Sequence, residues 1–132
     1  MKVDHIGIVV ADLDAALRTY AVICPGVIPQ DEPVADGSMR MAILHLDNIK
    51  LELMEPLQAD SPTGKFLDKH GEGLHHIAYK TNNIEDSLQS VAENGIRLID
   101  KEARIGAEGL FIAFLHPKDT FSVLTEFCQD PS

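Results

Sequence analysis

Apolar residues recur at helical spacing in two segments of the chain. The first spacing predicts a helix over residues 13–23, with Asp12 as its N-cap and Pro25 just beyond its end. The second predicts a helix over about residues 84–94, with Asn83 as its N-cap. A strand-like run with alternating polar and apolar residues precedes each helix. The chain therefore starts the same motif twice, a strand followed by an amphipathic helix.

The two copies of this motif can be superimposed along the sequence. A displacement of 71 positions, from residue 5 to residue 76, aligns residues 4–8 with 75–79 and residues 12–17 with 83–88. Few residues are identical, but the polar and apolar classes agree over both segments. We interpret this agreement as an internal duplication.

Three strand-like runs follow each helix, separated by turn-forming residues. They cover residues 27–34, 40–46 and 50–55 in the first half and 97–101, 110–115 and 122–128 in the second. A short helix over residues 61–67, with Pro62 at its first position, connects the halves. The predicted class is α+β, with one domain over residues 1–132 built from two tandem βαβββ modules, about 1–60 and 72–130.

The composition is that of a globular protein, and it restricts the possible partners. Hydrophobic residues make up 45% and charged residues 24% of the chain, and no apolar run approaches the roughly 20 residues that span a bilayer. The net charge of −10 disfavours phosphate backbones, so we expect neither nucleic-acid nor membrane binding. Two cysteines, Cys24 and Cys128, are too few for a disulfide framework, and the first residues lack the pattern of a secretory signal. These features predict a cytoplasmic protein.

The duplication places two histidines and two glutamates at equivalent positions. His5 and His76 occupy the same point in the first strand of each half, and Glu52 and Glu126 lie in the last strand of each half. The intervals are similar, 47 positions from His5 to Glu52 and 50 from His76 to Glu126. If the two halves pack with pseudo-twofold symmetry, two imidazoles and two carboxylates converge.

Such a set suits a divalent metal ion. A carboxylate within a strand is costly to bury unless it is paired or metal-bound, and two imidazoles with two carboxylates suit Zn, Co, Ni, Mn or Fe(II). A single strand histidine or glutamate more often has a structural or solvent-exposed role, so the prediction depends on the repeat-related set of four. By strand alternation His75 points to the other face, and three further histidines have no repeat partner: His45, His70 and His116.

Several strings in the sequence resemble the vicinal-oxygen-chelate superfamily, which includes glyoxalase I, methylmalonyl-CoA epimerase and extradiol dioxygenases. Residues 4–10 have the opening pattern of the superfamily. Residues 51–57, 60–67, 71–78 and 114–119 resemble the epimerase members, with Gly-Leu-His-His-Ile-Ala and Phe-Leu-His-Pro-Lys as the more specific strings. The resemblance covers essentially the whole chain.

The resemblance implies a mixed, curved sheet of paired βαβββ modules, a homodimer, and one divalent metal ion per chain (Co, Zn, Ni or Mn). The implied metal ligands are His5, Glu52, His76 and Glu126. The implied reaction interconverts (R)- and (S)-methylmalonyl-CoA, an acyl-CoA substrate, through an enolate. Such chemistry needs a base on one face of the α carbon and an acid on the other. Glu126 is the first candidate for this catalytic proton transfer, and Glu52 is the second by pseudo-symmetry.

Two positions depart from the epimerase pattern. Some epimerases place a catalytic carboxylate on the second strand after the first helix, where this chain has Arg40, which cannot act as a base at ordinary pH. The family commonly has a small, glycine-rich pair before the final strand, where this chain has Phe121. Arg40 is either a ligand for a substrate carboxylate or phosphate or a surface residue. Phe121 is expected to narrow the pocket or to change its substrate, and both differences leave metal binding intact.

Two other functions remain open from the sequence. A glyoxalase I-like lactoylglutathione lyase would use the same metal ligands and related enolate chemistry. A non-catalytic small-molecule-binding member of the superfamily is disfavoured, because such members often lack the complete metal set. A dioxygenase is disfavoured as well, since it would use two histidines and one carboxylate.

Overall fold

A computed structural model describes residues 1–131 of the chain. Its strands and α-helices, in chain order, are β1 (Lys2–Val9), α1 (Leu13–Ile23), β2 (Gln30–Glu32), β3 (Met39–His45), β4 (Lys50–Pro56), α2 (Pro62–His70), β5 (Gly73–Lys80), α3 (Ile84–Glu93), β6 (Arg104–Ile105), β7 (Phe111–Leu115) and β8 (Thr125–Gln129). Two short 3₁₀ turns occupy Ala107–Gly109 and Pro117–Asp119. The order confirms the predicted βαβββ pattern in each half.

Side-chain caps fix where the two long helices begin. The Asp12 carboxylate accepts a hydrogen bond from the Ala15 amide at the start of α1, at 3.1 Å. The Asn83 side chain accepts one from the Asp86 amide at the start of α3, also at 3.1 Å. Each cap satisfies an amide that has no partner within its helix. Both predicted N-caps are confirmed, and α3 ends one residue earlier than predicted.

Residues Ile6–His75 form one compact unit. Its strand order is β2-β3-β4-β1, and β3 pairs antiparallel with both β2 and β4. Helix α1 covers one face of these strands, and the core between them consists of Val10, Leu13, Ala42, Leu44 and Leu53. Removing this apolar surface from water stabilises the unit.

Residues Met1–His5 and the segment from His76 onward form the second unit. Its strand order is β1-β5-β8-β7-β6, with β5 parallel to β8 and β7 antiparallel to both of its neighbours. Helix α3 packs over a core of Ile84, Leu88, Ala113, Leu115 and Phe127. Parallel and antiparallel pairs in one set of strands give the mixed sheet that we expected, and the α+β class is confirmed.

The predicted strand over residues 97–101 is wrong. Only Leu98 forms an isolated bridge, to Leu115. The Phe114 amide donates a hydrogen bond to the Asp100 carboxylate at 2.8 Å. This side-chain bond takes the place of a backbone hydrogen bond between paired strands. The edge strand is instead β6, which pairs with β7.

Two other strands are shorter than predicted. Strand β2 covers three residues of the predicted 27–34, because Pro29 and Pro33 flank it and lack the amide hydrogen that a ladder requires. Strand β8 starts at Thr125, because Phe121 and Ser122 have φ values of +58° and +67°, which are left-handed conformations. Two glycines would adopt this conformation with less strain.

No helix among residues 1–131 is long and apolar enough to cross a bilayer. The predicted connecting helix forms as α2, with Pro62 in its first turn and the Ser61 hydroxyl accepting from the Gly64 amide at 3.1 Å.

Gly64→Ala tests how closely α2 approaches the preceding loop. A β-carbon at Gly64 would overlap the Gln58 carbonyl oxygen and lie 2.9 Å from that of Ala59. We expect the substitution to lower the free energy of unfolding by about 1–3 kcal/mol, measured by urea denaturation. Lys65→Ala, at an exposed position of the same helix, is the control and should change it by less than about 0.5 kcal/mol. Equal effects of the two substitutions would contradict this packing.

Candidate metal centre

Three of the four predicted ligands meet in the unit that contains both β5 and β8. The parallel register of these strands places Glu126 opposite Ala78, and His76 lies two residues before Ala78 on the same face. The His5 Nε2 atom lies 3.2 Å from Glu126 Oε2, and the His76 Nε2 atom lies 3.6 Å from Glu126 Oε1. One carboxylate therefore faces two imidazole nitrogens.

The two imidazoles are held edge to face. Their ring centroids are 5.2 Å apart and the planes meet at 87°. Each ring offers a nitrogen, and these candidate ligand atoms lie within 4.8 Å of each other. His5, His76 and Glu126 are only 2%, 4% and 2% exposed. All three side chains are thus withdrawn from water, at the spacing of atoms that share one ion.

The Glu126 carboxylate supports a cation at this point. Its Oε2 atom is buried and makes no hydrogen bond of acceptable geometry with any of residues 1–131, although His5 Nε2 is close. A buried carboxylate without full hydrogen bonding is costly, and a cation between it and the imidazole nitrogens would remove that cost. The donor set of imidazole nitrogen and carboxylate oxygen suits Zn, Co, Ni or Mn. These residues form a possible His/Glu metal site.

Glu52 lies in the other unit, on β4, and is 5% exposed. Its neighbour Leu53 belongs to the core beneath α1, so alternation directs the Glu52 carboxylate to the opposite face of the strand. Met54 shares that face with Glu52, and so do their register partners Met41 and Ile43 on β3. The predicted orientation of Glu52 is confirmed, and its role as a ligand remains a prediction.

Arg40 lies on the other face of β3. Its register partner is Glu55, and its guanidinium lies 3.2 Å from Asp14 and 3.4 Å from Glu55. The Glu55 carboxylate also accepts the Leu13 amide hydrogen bond at the start of α1. Arg40 therefore belongs to a network that joins α1 to the strands, and Met41 is the β3 residue on the Glu52 face. Arg40 is exposed and held in ion pairs, which agrees with the alternative that it is a surface residue, and binding of a substrate anion stays a prediction.

Phe121 projects from the surface of its unit. Its side chain is 94% exposed, because the left-handed turn directs it into solvent. Two of the excluded histidines have local contacts: the His75 ring packs edge-on against Phe66 at 4.9 Å, and His116 Nδ1 accepts from the Lys118 amide at 3.2 Å. These contacts agree with their exclusion from the ligand set.

Three residues that the sequence analysis did not select surround the two histidines. The Asp4 carboxylate lies 2.7 Å from His5 Nδ1. The Phe114 ring stands edge-on to the His76 ring, with centroids 5.5 Å apart. Cys128 is fully buried on the Glu126 face of β8, and burial raises the pKa of its thiol, which a hydrogen bond to His5 partly offsets. The sequence signal for Asp4 was its position directly before His5. The signal for Cys128 was its position two residues after Glu126, on the same face of the strand.

The fold and this buried His/Glu set define the class of protein. The model of the glyoxalase/bleomycin resistance protein/dioxygenase superfamily matches residues 4–114, and the chain belongs to this superfamily.

Individual relatives narrow the comparison. The chain is 40% identical to the uncharacterized protein YqjC of Bacillus subtilis, over 97% of this chain and 91% of that protein. It is 37% identical to the ethylmalonyl-CoA/methylmalonyl-CoA epimerase of Cereibacter sphaeroides, over 97% of each chain. A solved variant of the Streptomyces coelicolor methylmalonyl-CoA epimerase, in complex with 2-nitronate-propionyl-CoA, superimposes with a TM-score of 0.92 at 36% identity, over 100% of this chain and 96% of that one.

Metal analysis tests the site directly. We expect about one divalent ion per chain in the wild type and little in His76→Ala, because the substitution removes one of the few ligands available. Inductively coupled plasma mass spectrometry after dialysis against metal-free buffer gives the content. His70→Ala, at an exposed position of α2, is the control and should retain the wild-type content. Equal metal content in wild type and His76→Ala would exclude this centre.

Proposed function

We propose that this protein is a metal-dependent epimerase that interconverts the (R) and (S) forms of methylmalonyl-CoA. The observation that carries the proposal is the approach of the His5 and His76 Nε2 atoms to one buried carboxylate, that of Glu126. Relatives named as methylmalonyl-CoA epimerases match nearly the full chain, in sequence and in structure. The combination favours enolate chemistry at a metal over a binding function.

We propose His5, Glu52, His76 and Glu126 as the ligands of one ion per chain. Glu52 is included because it is the repeat counterpart of Glu126, is buried, and turns away from the helix-covered core of its unit. Co, Zn, Ni and Mn suit this donor set, and metal competition would rank them.

The reaction requires removal of a proton from the carbon between the thioester and the carboxylate. When bound, a divalent cation supplies electrostatic stabilisation for the negative charge that develops on the thioester oxygen. Glu126 lies beside both imidazoles and is 2% exposed, so its carboxylate is the buried base candidate nearest the two histidines. We assign it the first proton transfer, at a carboxylate oxygen.

Inversion also requires a proton donor on the other face of the same carbon. On β3 and β4, the face that carries Glu52 presents Met41, Ile43 and Met54, so Glu52 is the one carboxylate that these two strands place there. We therefore assign the second proton transfer to Glu52.

Proton exchange at the α carbon tests the reaction. We expect metal-loaded wild type to exchange the α proton of methylmalonyl-CoA with deuterium from solvent, followed by NMR. Glu126→Gln keeps the side-chain shape and removes the base, so we expect the exchange rate to fall by about 10² or more. Hemithioacetal isomerisation without exchange of methylmalonyl-CoA would establish the glyoxalase-like function instead. Metal binding with neither activity would leave the non-catalytic function.

Arg40→Met is the matched control for this assay. It removes a charge from the α1 face of β3 and leaves the Glu52 face unchanged. We expect exchange within about twofold of the wild type. A large loss of exchange in Arg40→Met would show that the two faces of β3 are not functionally separate.

We also propose a cytoplasmic homodimer. Three large apolar side chains at the end of α1 and just beyond it are more than half exposed, namely Val22, Ile23 and Ile28, and exposed apolar groups of this kind suit a subunit interface. Sedimentation velocity should give twice the mass of one chain for the wild type, and Val22→Glu with Ile28→Glu should shift it toward one chain. A monomeric wild type would contradict the dimer.

A further inference from the structure

The His5 imidazole lies between two carboxylates, one at each ring nitrogen. Nδ1 lies 2.7 Å from Asp4 Oδ2, and Nε2 lies 3.2 Å from Glu126 Oε2. Asp4 is 9% exposed and His5 is 2% exposed, so water competes little for either contact. Both nitrogens of this ring therefore have a defined protein partner.

A neutral imidazole carries one proton and can present only one lone pair. If Nε2 is to bind a cation, the proton must be on Nδ1, and the Asp4 carboxylate is the acceptor placed to hold it there. We infer that Asp4 is a positioning residue that fixes the tautomer and orientation of His5, so that Nε2 faces the ion. This inference rests on the proposed metal centre and adds a residue that is not itself a ligand.

Lys80 supplies a positive charge near the Asp4 carboxylate. Lys80 Nζ lies 4.0 Å from Asp4 Oδ1 and 2.9 Å from Asp130 Oδ2. A cation on the far side of the carboxylate offsets the cost of burying its charge and leaves Oδ2 directed at the imidazole. The chain Lys80–Asp4–His5 thus extends from the partly exposed end of β5 to the buried centre.

The internal duplication does not repeat this aspartate. The position equivalent to Asp4 in the second half is His75, whose ring packs against Phe66. A carboxylate precedes His5 directly in the sequence, whereas an imidazole precedes His76. A carboxylate behind an imidazole makes that ring a stronger donor.

Asp4→Asn removes the charge and keeps the size of the side chain. We expect it to weaken Zn²⁺ and Co²⁺ binding by about 10- to 100-fold, measured by competition with a chromophoric chelator. Asp130→Asn removes the other carboxylate contact of Lys80 and should bind both ions within about twofold of the wild type. Equal metal affinities of Asp4→Asn and the wild type would overturn the inference.

A second measurement needs no metal. In the metal-free wild type, at a pH where the ring is neutral, ¹⁵N NMR should find the His5 proton on Nδ1, and Asp4→Asn should shift the population toward Nε2–H. A wild-type proton on Nε2 overturns the inference even if Asp4→Asn does not fold. Absence of metal binding by the wild type would reject the metal centre, and this tautomer measurement would still decide the role of Asp4.

One alternative uses the same residues. Ligand atoms of Asp4, His5 and Cys128 also lie within 4.8 Å of one another, so Asp4 could itself bind the ion there. Thiolate–Co²⁺ charge-transfer absorption in the wild type, lost in Cys128→Ala, would establish that arrangement and overturn the positioning role. If this absorption is absent and Cys128→Ala binds Co²⁺ with unchanged affinity, the result favours the role of Asp4 as the residue that positions His5.

Discussion

The structure is organised around one electrostatic requirement, a buried carboxylate that must be neutralised. Glu126 lies in the interior of its unit with an imidazole nitrogen near each oxygen, and burial makes any uncompensated charge there expensive. Small side chains make room for this arrangement, since the register partner of Glu126 is the fully buried Ala78. The remaining elements of the unit hold these few atoms in place and exclude water from them.

The duplication explains why histidines and glutamates occur at matching positions in the two halves of the chain. Each module supplies a first strand with a histidine and a last strand with a glutamate, and neither alone contains the two-histidine, two-carboxylate set. The copies have diverged around that shared pattern. The first module has a carboxylate before its histidine and the second has an imidazole, so the residues next to the ligands are where the copies have become chemically distinct.

Capping residues and apolar spacing predicted the helices, whose formation depends on interactions between residues close in sequence. The Asp12 and Asn83 caps and the spacing of apolar residues in α1 and α3 were sufficient, because a helix satisfies most of its backbone within itself. The edge strands were less predictable. The Asp100 side chain accepts a hydrogen bond from the Phe114 amide in place of a backbone bond between strands. The pattern of polar and apolar residues gives no sign of this bond. Arg40 and Met41 are adjacent in sequence, and only the register with β4 decides which one shares a face with Glu52.

The four ligand candidates were found because repeat symmetry is visible in the sequence. Asp4 was not selected, since alternation assigns adjacent residues to opposite faces and gives no indication that its side chain reaches the neighbouring imidazole. One expectation from the sequence was that Phe121 narrows the pocket. The left-handed turn that exposes its side chain follows from backbone angles, which composition does not specify.

The position of β8 affects how the chain folds during its synthesis. This strand comes last in sequence and yet lies between β5 and β7, in the interior of the strand order of its unit. His5 and Glu126 are therefore brought together by one of the longest loop closures that the chain can make, which is slow compared with helix formation. A nascent chain still lacking β8 has no Glu126 and leaves β5 and β7 with unfilled edges. A chain that stops before β8 therefore lacks the carboxylate that faces both the His5 and His76 imidazoles.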